Sequence, residues 1–331
     1  MLLNIQFYLY FPDDSEILFK FKKYEIRKFF DGQIQFTQNE QQSIQQFKQK
    51  YQVQKEDSFI LRMLYATKFK FDKCLDAIKN YDEWQQSRNL KVNPMSQELL
   101  KQGVIYMHGR DNRFRPIIVV NVRKVSQVKE IDILLQSISI FLDYLLKNCM
   151  LPGQIENWIV IMDLGGLGIM GLPKQDLYRI MNYLSSNYRS RMHKCYAINC
   201  TKSLSITWAM IKTFLEDITV NKICFENAPI SLLQYANPQQ LETKYGGSAK
   251  DKLDNFWPPQ EISINYQIAV DQIKLIDQFT YIQLFQQGKL AKNLICPEII
   301  KIQQLELNNQ QIQLQQKFEE GFQSCEDNND K

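Results

Sequence analysis

A threonine and a lysine three residues apart, Thr219 and Lys222, have residue types that could bind a phosphate. A hydroxyl and an ammonium group held side by side can bind a phosphate through charge-assisted hydrogen bonds. On its own the spacing carries no meaning. The interpretation therefore depends on the elements that position the pair.

The segment before this pair, 203–218, predicts an amphipathic helix. Its apolar residues share one arc of roughly 160° on a helical wheel. They are Trp208, Met210, Ile211, Phe214, Leu215 and Ile218. This face either packs on a sheet or forms a movable wall over an apolar cavity, and the pattern leaves both interpretations open.

Other motifs give weaker indications of chemistry. G-x-G-x-x-G at 166–171 matches a dinucleotide fingerprint, but no acidic residue ends the next predicted strand to hold a ribose, so a dinucleotide enzyme is a secondary alternative.

Strand alternation places Cys195 and Cys200 on opposite faces, which disfavours a zinc site with His193. Asp163 fits a cap of the following loop better than a general base. We expect no enzyme activity, no cofactor and no metal.

Strands that alternate with helices must position these residues. The β-branched runs lie at 117–122, 158–164, 195–200 and 222–225, and the helical patterns at 130–148, 173–187 and 203–218. This alternation predicts an α/β fold with a largely parallel sheet. Upstream, 57–66 and 73–87 predict a helical hairpin, capped by Asp57 or Ser58 and by Asp72.

The pattern divides the chain into four parts. We assign 1–36 to an extension of unassigned structure, 37–90 to a helical module, 95–250 to the α/β lobe and 251–331 to a tail. The tail is Gln-rich and helical in pattern, with an acidic end.

Composition and charge exclude several classes of protein. The 331 residues are 44% hydrophobic and 23% charged, which is typical of globular proteins and excludes collagen-like and disordered chains. A net charge of +4 is too small to indicate a nucleic-acid binder. The basic cluster at 20–28 fits a solvated face or a weak attraction to anionic lipid.

Cysteine usage and hydropathy predict the compartment. The 7 cysteines are scattered without a C-x-x-C motif, which indicates free thiols in a reducing compartment. The apolar N-terminus lacks a signal-peptide pattern, and no apolar run is long enough to span a bilayer. We expect a cytoplasmic protein that is a monomer by default.

Six segments in a fixed order carry a family resemblance. They are FILRMLYATKFKFDKCLDAIKNYDEW, GVIYMHGRDNRFRPIIVVNV, IVIMDLGGLG, NYRSRMHKCYAIN, IKTFLEDITVNKICF and LETKYGG. Together they span about 57–248 and resemble the CRAL-TRIO family of phosphatidylinositol-transfer proteins and hydrophobic-ligand carriers. The resemblance implies a helical module before a lobe that holds one lipid between a sheet and a gate helix.

The resemblance also implies roles for single residues. Thr219 and Lys222 match the family's headgroup motif T-x-x-K, and Lys68 matches a second basic residue near the headgroup. Thr67 and Ser190 stand where the family has an arginine and an acidic residue.

The lipid pocket is assigned in the same way. Ile118, Gly168 and Met170 stand where phosphatidylcholine-binding members have an aromatic residue and hydroxyls, so the resemblance favours a phosphatidylinositol or phosphoinositide. The gate helix would contribute an apolar wall of Met210, Ile211, Phe214, Leu215 and Ile218. Its membrane-facing residues would be Trp208, Phe214 and Leu215.

These inferences predict a carrier that makes and breaks no bond. Its expected partners are a phospholipid or other hydrophobic ligand and, transiently, a membrane surface, with no nucleic acid. The tail offers a protein-binding segment. The alternatives are a carrier of a sterol, terpenoid or fatty acid, and a lipid-regulated scaffold.

Overall fold

The computed structural model describes residues 12–22, 24–32, 34–88, 93–166, 173–200, 208–209 and 211–260, with Lys174 and Phe214 described by their backbone alone. The α-helices are α1 (Asp14–Ile17), α2 (Gln38–Tyr51), α3 (Asp57–Ala66), α4 (Phe71–Ser87), α5 (Pro94–Lys101), α6 (Val122–Val125), α7 (Ile131–Asn148), α8 (Lys174–Asn187) and α9 (Asp217–Val220). The strands are β1 (Leu18–Phe21), β2 (Tyr24–Arg27), β3 (Ile105–Arg110), β4 (Pro116–Asn121), β5 (Trp158–Asp163), β6 (Met192–Ile198) and β7 (Ile223–Glu226).

A five-stranded sheet in the order β3-β4-β5-β6-β7 organises the lobe. β3 pairs antiparallel with β4, and every later neighbour pairs in parallel. Long crossovers join the parallel strands, because parallel neighbours cannot be joined by a tight turn. The predicted α/β fold with a mostly parallel sheet is therefore confirmed, and β3 adds a strand that the branched runs did not predict.

Alternation along the strands gives the sheet two different faces. Ile117 and Val119 pack with a C-terminal segment, 228–256, that folds as short 3₁₀ helices and covers one face. Ile118 and Val120 point to the opposite face, toward α7 and α8. One face of the sheet is thus filled, and the other can hold a cavity.

The helical module has its own core. Phe30, Phe47, Ile60 and Leu64 are fully or almost fully buried there, so residues just before α2 pack with it. Segment 12–36, which the sequence left unassigned, contains α1 and the antiparallel hairpin of β1 and β2. We call residues 18–27 the N-terminal hairpin.

Buried ion pairs tie the N-terminal segment to the rest. Arg27 donates to both carboxylate oxygens of Glu40, at 2.7 and 2.8 Å. Arg62 donates to Asp31 at 2.7 Å and to Glu156 of the lobe at 2.8 Å. These contacts fix the hairpin and the module against the lobe.

Two helix starts differ from the prediction. The N-cap residues are Glu56 for α3 and Lys70 for α4, and neither makes a side-chain cap. Asp72 instead lies in the first turn of α4 and accepts a hydrogen bond from the Tyr51 hydroxyl. An acidic residue in a first turn favours the helix dipole without serving as the cap.

The predicted helix over 203–218 is not continuous in its described part. We call residues 208–220 the gate segment. A 3₁₀ turn, Lys212–Phe214, ends at Leu215, whose backbone is extended (ψ 144°), and α9 begins after Glu216, which is also extended. The β-branched run at 218–220 lowers helix propensity just beyond this break. The prediction of one helix was therefore wrong at its C-terminal end.

No helix of the described ranges is both long enough and apolar enough to cross a bilayer. The described cysteines, at positions 74, 149, 195, 200 and 224, are free thiols. The C-terminal tail from 261 onward lies outside the described residues, but Phe256 and Trp257 pack into the lobe against Tyr106 and Tyr144.

Candidate functional site

A cavity of about 1860 Å³ opens between the uncovered face of the sheet, α7, α8, the gate segment and the N-terminal hairpin. Pockets for small molecules usually have about 300–1,000 Å³. The cavity is therefore large enough for a ligand well beyond drug size.

One part of the cavity wall is apolar. The sheet contributes Ile118, Val120, Val160 and Met162, α7 contributes Leu134, Ile138 and Leu142, and α8 contributes Leu177, Ile180, Met181 and Leu184. Alternation on β4 and β5 and the periodicity of the two helices aim these side chains inward. A wall of this kind favours hydrocarbon over water.

The gate segment closes this wall from another side. Ile211, Leu215 and Ile218 line the cavity, although the backbone break separates Ile218 from the other two. Trp208 does not line the cavity but packs its ring against Phe225, with ring centres 4.8 Å apart. The predicted residues Gly168, Met170 and Met210 lie outside the described residues, as does the side chain of Phe214.

The other part of the cavity is polar and lies near the start of β6 and β7. Thr219, Lys222 and Lys68 all line it, so the structure brings these three predicted residues to one cavity. The Nζ of Lys222 donates to the carbonyl oxygen of Met192 at 2.9 Å. The Nζ of Lys68 lies 3.6 Å from Oε2 of Glu216.

Four non-glycine residues around this polar end have a left-handed backbone. The φ angles are 54° for Lys22, 55° for Lys68, 56° for Phe69 and 60° for Ser190. L-residues adopt this region at a cost, and only where surrounding contacts hold them. The lining of the polar end is therefore positioned by strained turns, each between regular elements.

Sequence reasoning missed several polar residues of the site. Lys28, Arg189 and His193 also line the cavity. Lys28 belongs to the basic cluster at 20–28, which the sequence assigned to a solvated face or to weak lipid attraction. Lys28 reaches the polar end through the packing of the N-terminal segment on the lobe, and such long-range packing leaves no local pattern in the sequence.

Burial and mutual repulsion shape the electrostatics of this end. Burial, together with the charge of Lys28, lowers the pKa of Lys222 from 10.5 to about 8. Burial, together with Arg115, lowers the pKa of Lys28 to about 8. Burial and the surrounding cations hold the pKa of His193 far below its ordinary value, so His193 is neutral. The polar end is a region of concentrated positive potential.

Asp163 acts as a loop cap, which confirms that interpretation. Its Oδ1 accepts from the backbone N–H of Gly165 at 2.9 Å and from Asn199 at 2.8 Å, and its Oδ2 accepts from the Tyr245 hydroxyl at 3.0 Å. Within the described ranges, no group of three His, Cys, Asp or Glu residues is arranged to hold a metal ion.

Comparison with known proteins gives a family match for part of the chain. The family model described as "CRAL/TRIO domain" matches residues 100–247, which contain the sheet, α7, α8 and the gate segment. Residues 100–247 are a CRAL/TRIO domain. The resemblance drawn from the six sequence segments is thereby confirmed for this part of the chain.

Several curated proteins are similar to this chain at low identity. The "SEC14 cytosolic factor" of Yarrowia lipolytica is 26% identical over 226 residues, which cover 61% of this chain and 46% of that protein. The "Phosphatidylinositol/phosphatidylcholine transfer protein SFH4" of Arabidopsis thaliana is 25% identical, covering 57% and 35%. The "SEC14 cytosolic factor" of Candida glabrata is 26% identical, covering 59% and 72%. The chain thus spans less than half the length of the first two relatives.

A solved structure shows the same fold. "Crystal structure of Sfh5" superposes with a TM-score of 0.52 at 14% identity, covering 78% of this chain and 100% of that one. The likeness extends beyond the CRAL/TRIO domain itself, because that domain accounts for less of the chain than the superposition covers.

Proposed function

We propose that this protein binds one phosphatidylinositol or phosphoinositide molecule and transfers or presents it between membranes. The observation that carries the proposal is a single large cavity with an apolar wall and a cationic end at Thr219 and Lys222. The similarity to the Arabidopsis relative named as a phosphatidylinositol/phosphatidylcholine transfer protein supports it.

The apolar wall accounts for retention of the acyl chains. Each buried CH₂ group contributes about 0.8 kcal/mol, so a long chain leaves a bilayer only for a cavity that is equally dry. The gate segment is the wall most suited to movement, because its helical backbone is broken next to Leu215. We infer that it opens at a membrane, where the bilayer replaces water on its apolar residues.

The cationic end accounts for headgroup choice. An ammonium and a hydroxyl at Lys222 and Thr219 match a phosphodiester, whereas Ile118 offers no aromatic face for a choline group. The proposal makes and breaks no covalent bond. It places the protein in the cytoplasm with transient membrane contact, and it leaves the tail as a candidate segment for a protein partner.

Native mass spectrometry combined with lipid extraction tests this proposal. We expect one phosphatidylinositol-class lipid per chain after incubation with mixed vesicles. Lys222→Ala should lower loading about tenfold or more, because a hydrogen bond to a charged group contributes about 1.5–3 kcal/mol. Lys129→Ala, an exposed lysine outside the cavity, is the matched control. Unchanged phosphatidylinositol loading by Lys222→Ala would contradict the headgroup assignment.

A second candidate is a carrier of a neutral apolar ligand such as a sterol, terpenoid or fatty acid. It is favoured by the internal engagement of two headgroup residues, since Lys222 already bonds Met192 and Lys68 lies beside Glu216. The same mass spectrum separates the two candidates. A neutral ligand that persists while phosphatidylinositol is excluded would select the second.

A further inference from the structure

The polar end of the cavity contains cationic and polar groups that the proposed headgroup contacts do not use. We propose that Lys28 and His193, beside Lys222, form a subsite for a phosphate monoester on the inositol ring together with Arg189, which lines the same cavity. The preferred ligand would then be a phosphorylated phosphatidylinositol rather than phosphatidylinositol itself. This inference rests on the proposed function and specifies the ligand class of the same cavity.

Asn157 holds two parts of this subsite together. Its Nδ2 donates to the carbonyl oxygen of Ser190 at 2.8 Å and lies 3.5 Å from that of Lys28. Asn157 is buried, so the contact fixes the end of the N-terminal hairpin beside the turn that carries Arg189. The subsite therefore combines residues distant in sequence through one buried side chain.

Lys222 lies beside His193, the remaining residue of the subsite. Its Nζ bonds the carbonyl of Met192, which belongs to the same peptide bond as the nitrogen of His193. His193 is the extra residue where β6 shifts register against β5, since consecutive β5 residues pair with Met192 and Lys194. Such bulges redirect a side chain and are frequent beside functional sites.

Three of the four carboxylates that line the described part of the cavity are engaged by other cations. Glu40 pairs with Arg27, Glu216 lies beside Lys68, and Asp217 pairs with Lys22, while Glu25 stands opposite Lys20 in the register of the hairpin. Glu216 is also the carboxylate whose charge reaches Arg189. Among the described residues, Lys28, Arg189 and Lys222 have no carboxylate within ion-pair distance. The subsite therefore has an excess of positive charge that an anion can balance.

Two polar atoms of the subsite are left without a partner. The Nε of Arg189 and the Nδ1 of His193 are buried and have no hydrogen-bond partner among the described residues. Buried polar atoms in this state are rare, because each costs the free energy of desolvation. The Nζ of Lys28 lies 4.4 Å from the centre of the Phe19 ring. A phosphate monoester brings acceptor oxygens and about −1.5 to −2 charge, which suits this set.

Competitive loading tests the subsite. Wild-type protein is incubated with vesicles holding equal amounts of phosphatidylinositol and its monophosphates, and the bound lipids are counted by native mass spectrometry. We expect the monophosphates to exceed phosphatidylinositol about tenfold, since charge-assisted bonds contribute about 1.5–3 kcal/mol. Lys28→Gln and Arg189→Gln should each lower this ratio severalfold, and Lys129→Gln should leave it unchanged.

The ratio of bound monophosphates to bound phosphatidylinositol distinguishes failure of the subsite from failure of the proposed function. A ratio near one in wild-type protein that still loads phosphatidylinositol would overturn the subsite and leave the proposed function standing. So would a raised ratio that neither Lys28→Gln nor Arg189→Gln changes. Loading of neither lipid would overturn both. A titration with soluble inositol 1,4-bisphosphate distinguishes the sources of the phosphate: weaker binding than the lipid supports the proposal, and equally tight binding would overturn the lipid as its source.

Discussion

The Nζ of Lys22 lies 2.9 Å from the Oδ2 of Asp217, so the tip of the N-terminal hairpin contacts the start of α9, two residues before Thr219. Both side chains are mostly exposed, at 61% and 77%, so water and salt screen the pair. Its importance lies in its position, because it joins two walls of the cavity.

Breaking this contact should speed ligand release. We expect Asp217→Lys to raise the rate of lipid release roughly twofold to fivefold at low ionic strength, the range that exposed ion pairs support. Stopped-flow transfer of a fluorescent phospholipid measures the rate. The double variant Lys22→Asp/Asp217→Lys should restore it, and high salt should remove the differences. Equal low-salt rates for all three proteins would show that the contact has no role.

The free energy of unfolding should depend on pH because the buried Lys222 has a lowered pKa. Its pKa is lowered from 10.5 to about 8 in the folded protein by burial and by Lys28. Between these values the unfolded chain binds more protons than the folded one, so stability rises with pH there. One such group contributes at most about 1.4 kcal/mol per pH unit.

Urea unfolding of lipid-free protein at pH 7.5 and 9.5 tests this expectation. Wild-type protein should gain stability relative to Lys222→Met across that interval, and a bound anionic lipid should reduce the gain. A gain of the same size in Lys222→Met would assign the effect to other groups.

Two neighbouring valines on β4 and β5 should respond differently to enlargement. Val160 points into the cavity, so Val160→Phe should lower lipid loading severalfold while the lipid-free protein keeps its stability. Val119 is 1% exposed on the covered face of the sheet, so Val119→Phe should destabilise by about 1–3 kcal/mol. Thermal unfolding and lipid counting on both variants check the assignment. Equal destabilisation by both would contradict an open cavity at Val160.

The buried carboxylate of Glu156 should be a main determinant of stability. It accepts backbone N–H groups of Phe30, Asp31 and Gly153, and it pairs with Arg62. Glu156→Gln keeps the shape but removes one of the two carboxylates that the buried Arg62 contacts and leaves it Asp31 alone, which is partly exposed. We expect a loss of about 3–5 kcal/mol in the free energy of unfolding, measured by urea denaturation.

The exposed pair of Lys48 and Asp57 provides the control for this measurement. Asp57→Asn should change stability little, because exposed pairs contribute little. A similarly small effect of Glu156→Gln would show that Asp31 and other acceptors suffice for Arg62.

Runs of β-branched residues and helical periodicity predicted the strands and helices that depend on local sequence. The branched run at 158–164 and the helical pattern at 130–148 correspond to β5 and α7, with ends that shift by one residue. β3 was missed because Ile105 is the only β-branched residue of its sequence IYMHGR, and its pairing with β4 comes from tertiary contact.

The candidate site was predictable only in part for the same reason. Thr219 and Lys222 are close in sequence, and a resemblance to known motifs pointed to them. Asn157 lies against the backbone carbonyls of both Lys28 and Ser190, which are more than a hundred residues apart in the chain, and Arg189 precedes Ser190. No pattern within a helix or strand encodes that approach.

The N-terminal hairpin is attached very differently at its two ends. At its base, the side chains of Arg27 and Glu40 are only 1% and 4% exposed, so dissolved ions barely reach them. At its tip, Lys22 depends on a contact that ions screen readily. Rising ionic strength therefore weakens the contact at the tip of the hairpin, while the ion pair at its base stays formed. The hairpin can then pivot about its base. Under the proposed function, an anionic bilayer would compete for the Lys22 ammonium in the same way, so the membrane that exchanges the ligand would also weaken the contact at the tip.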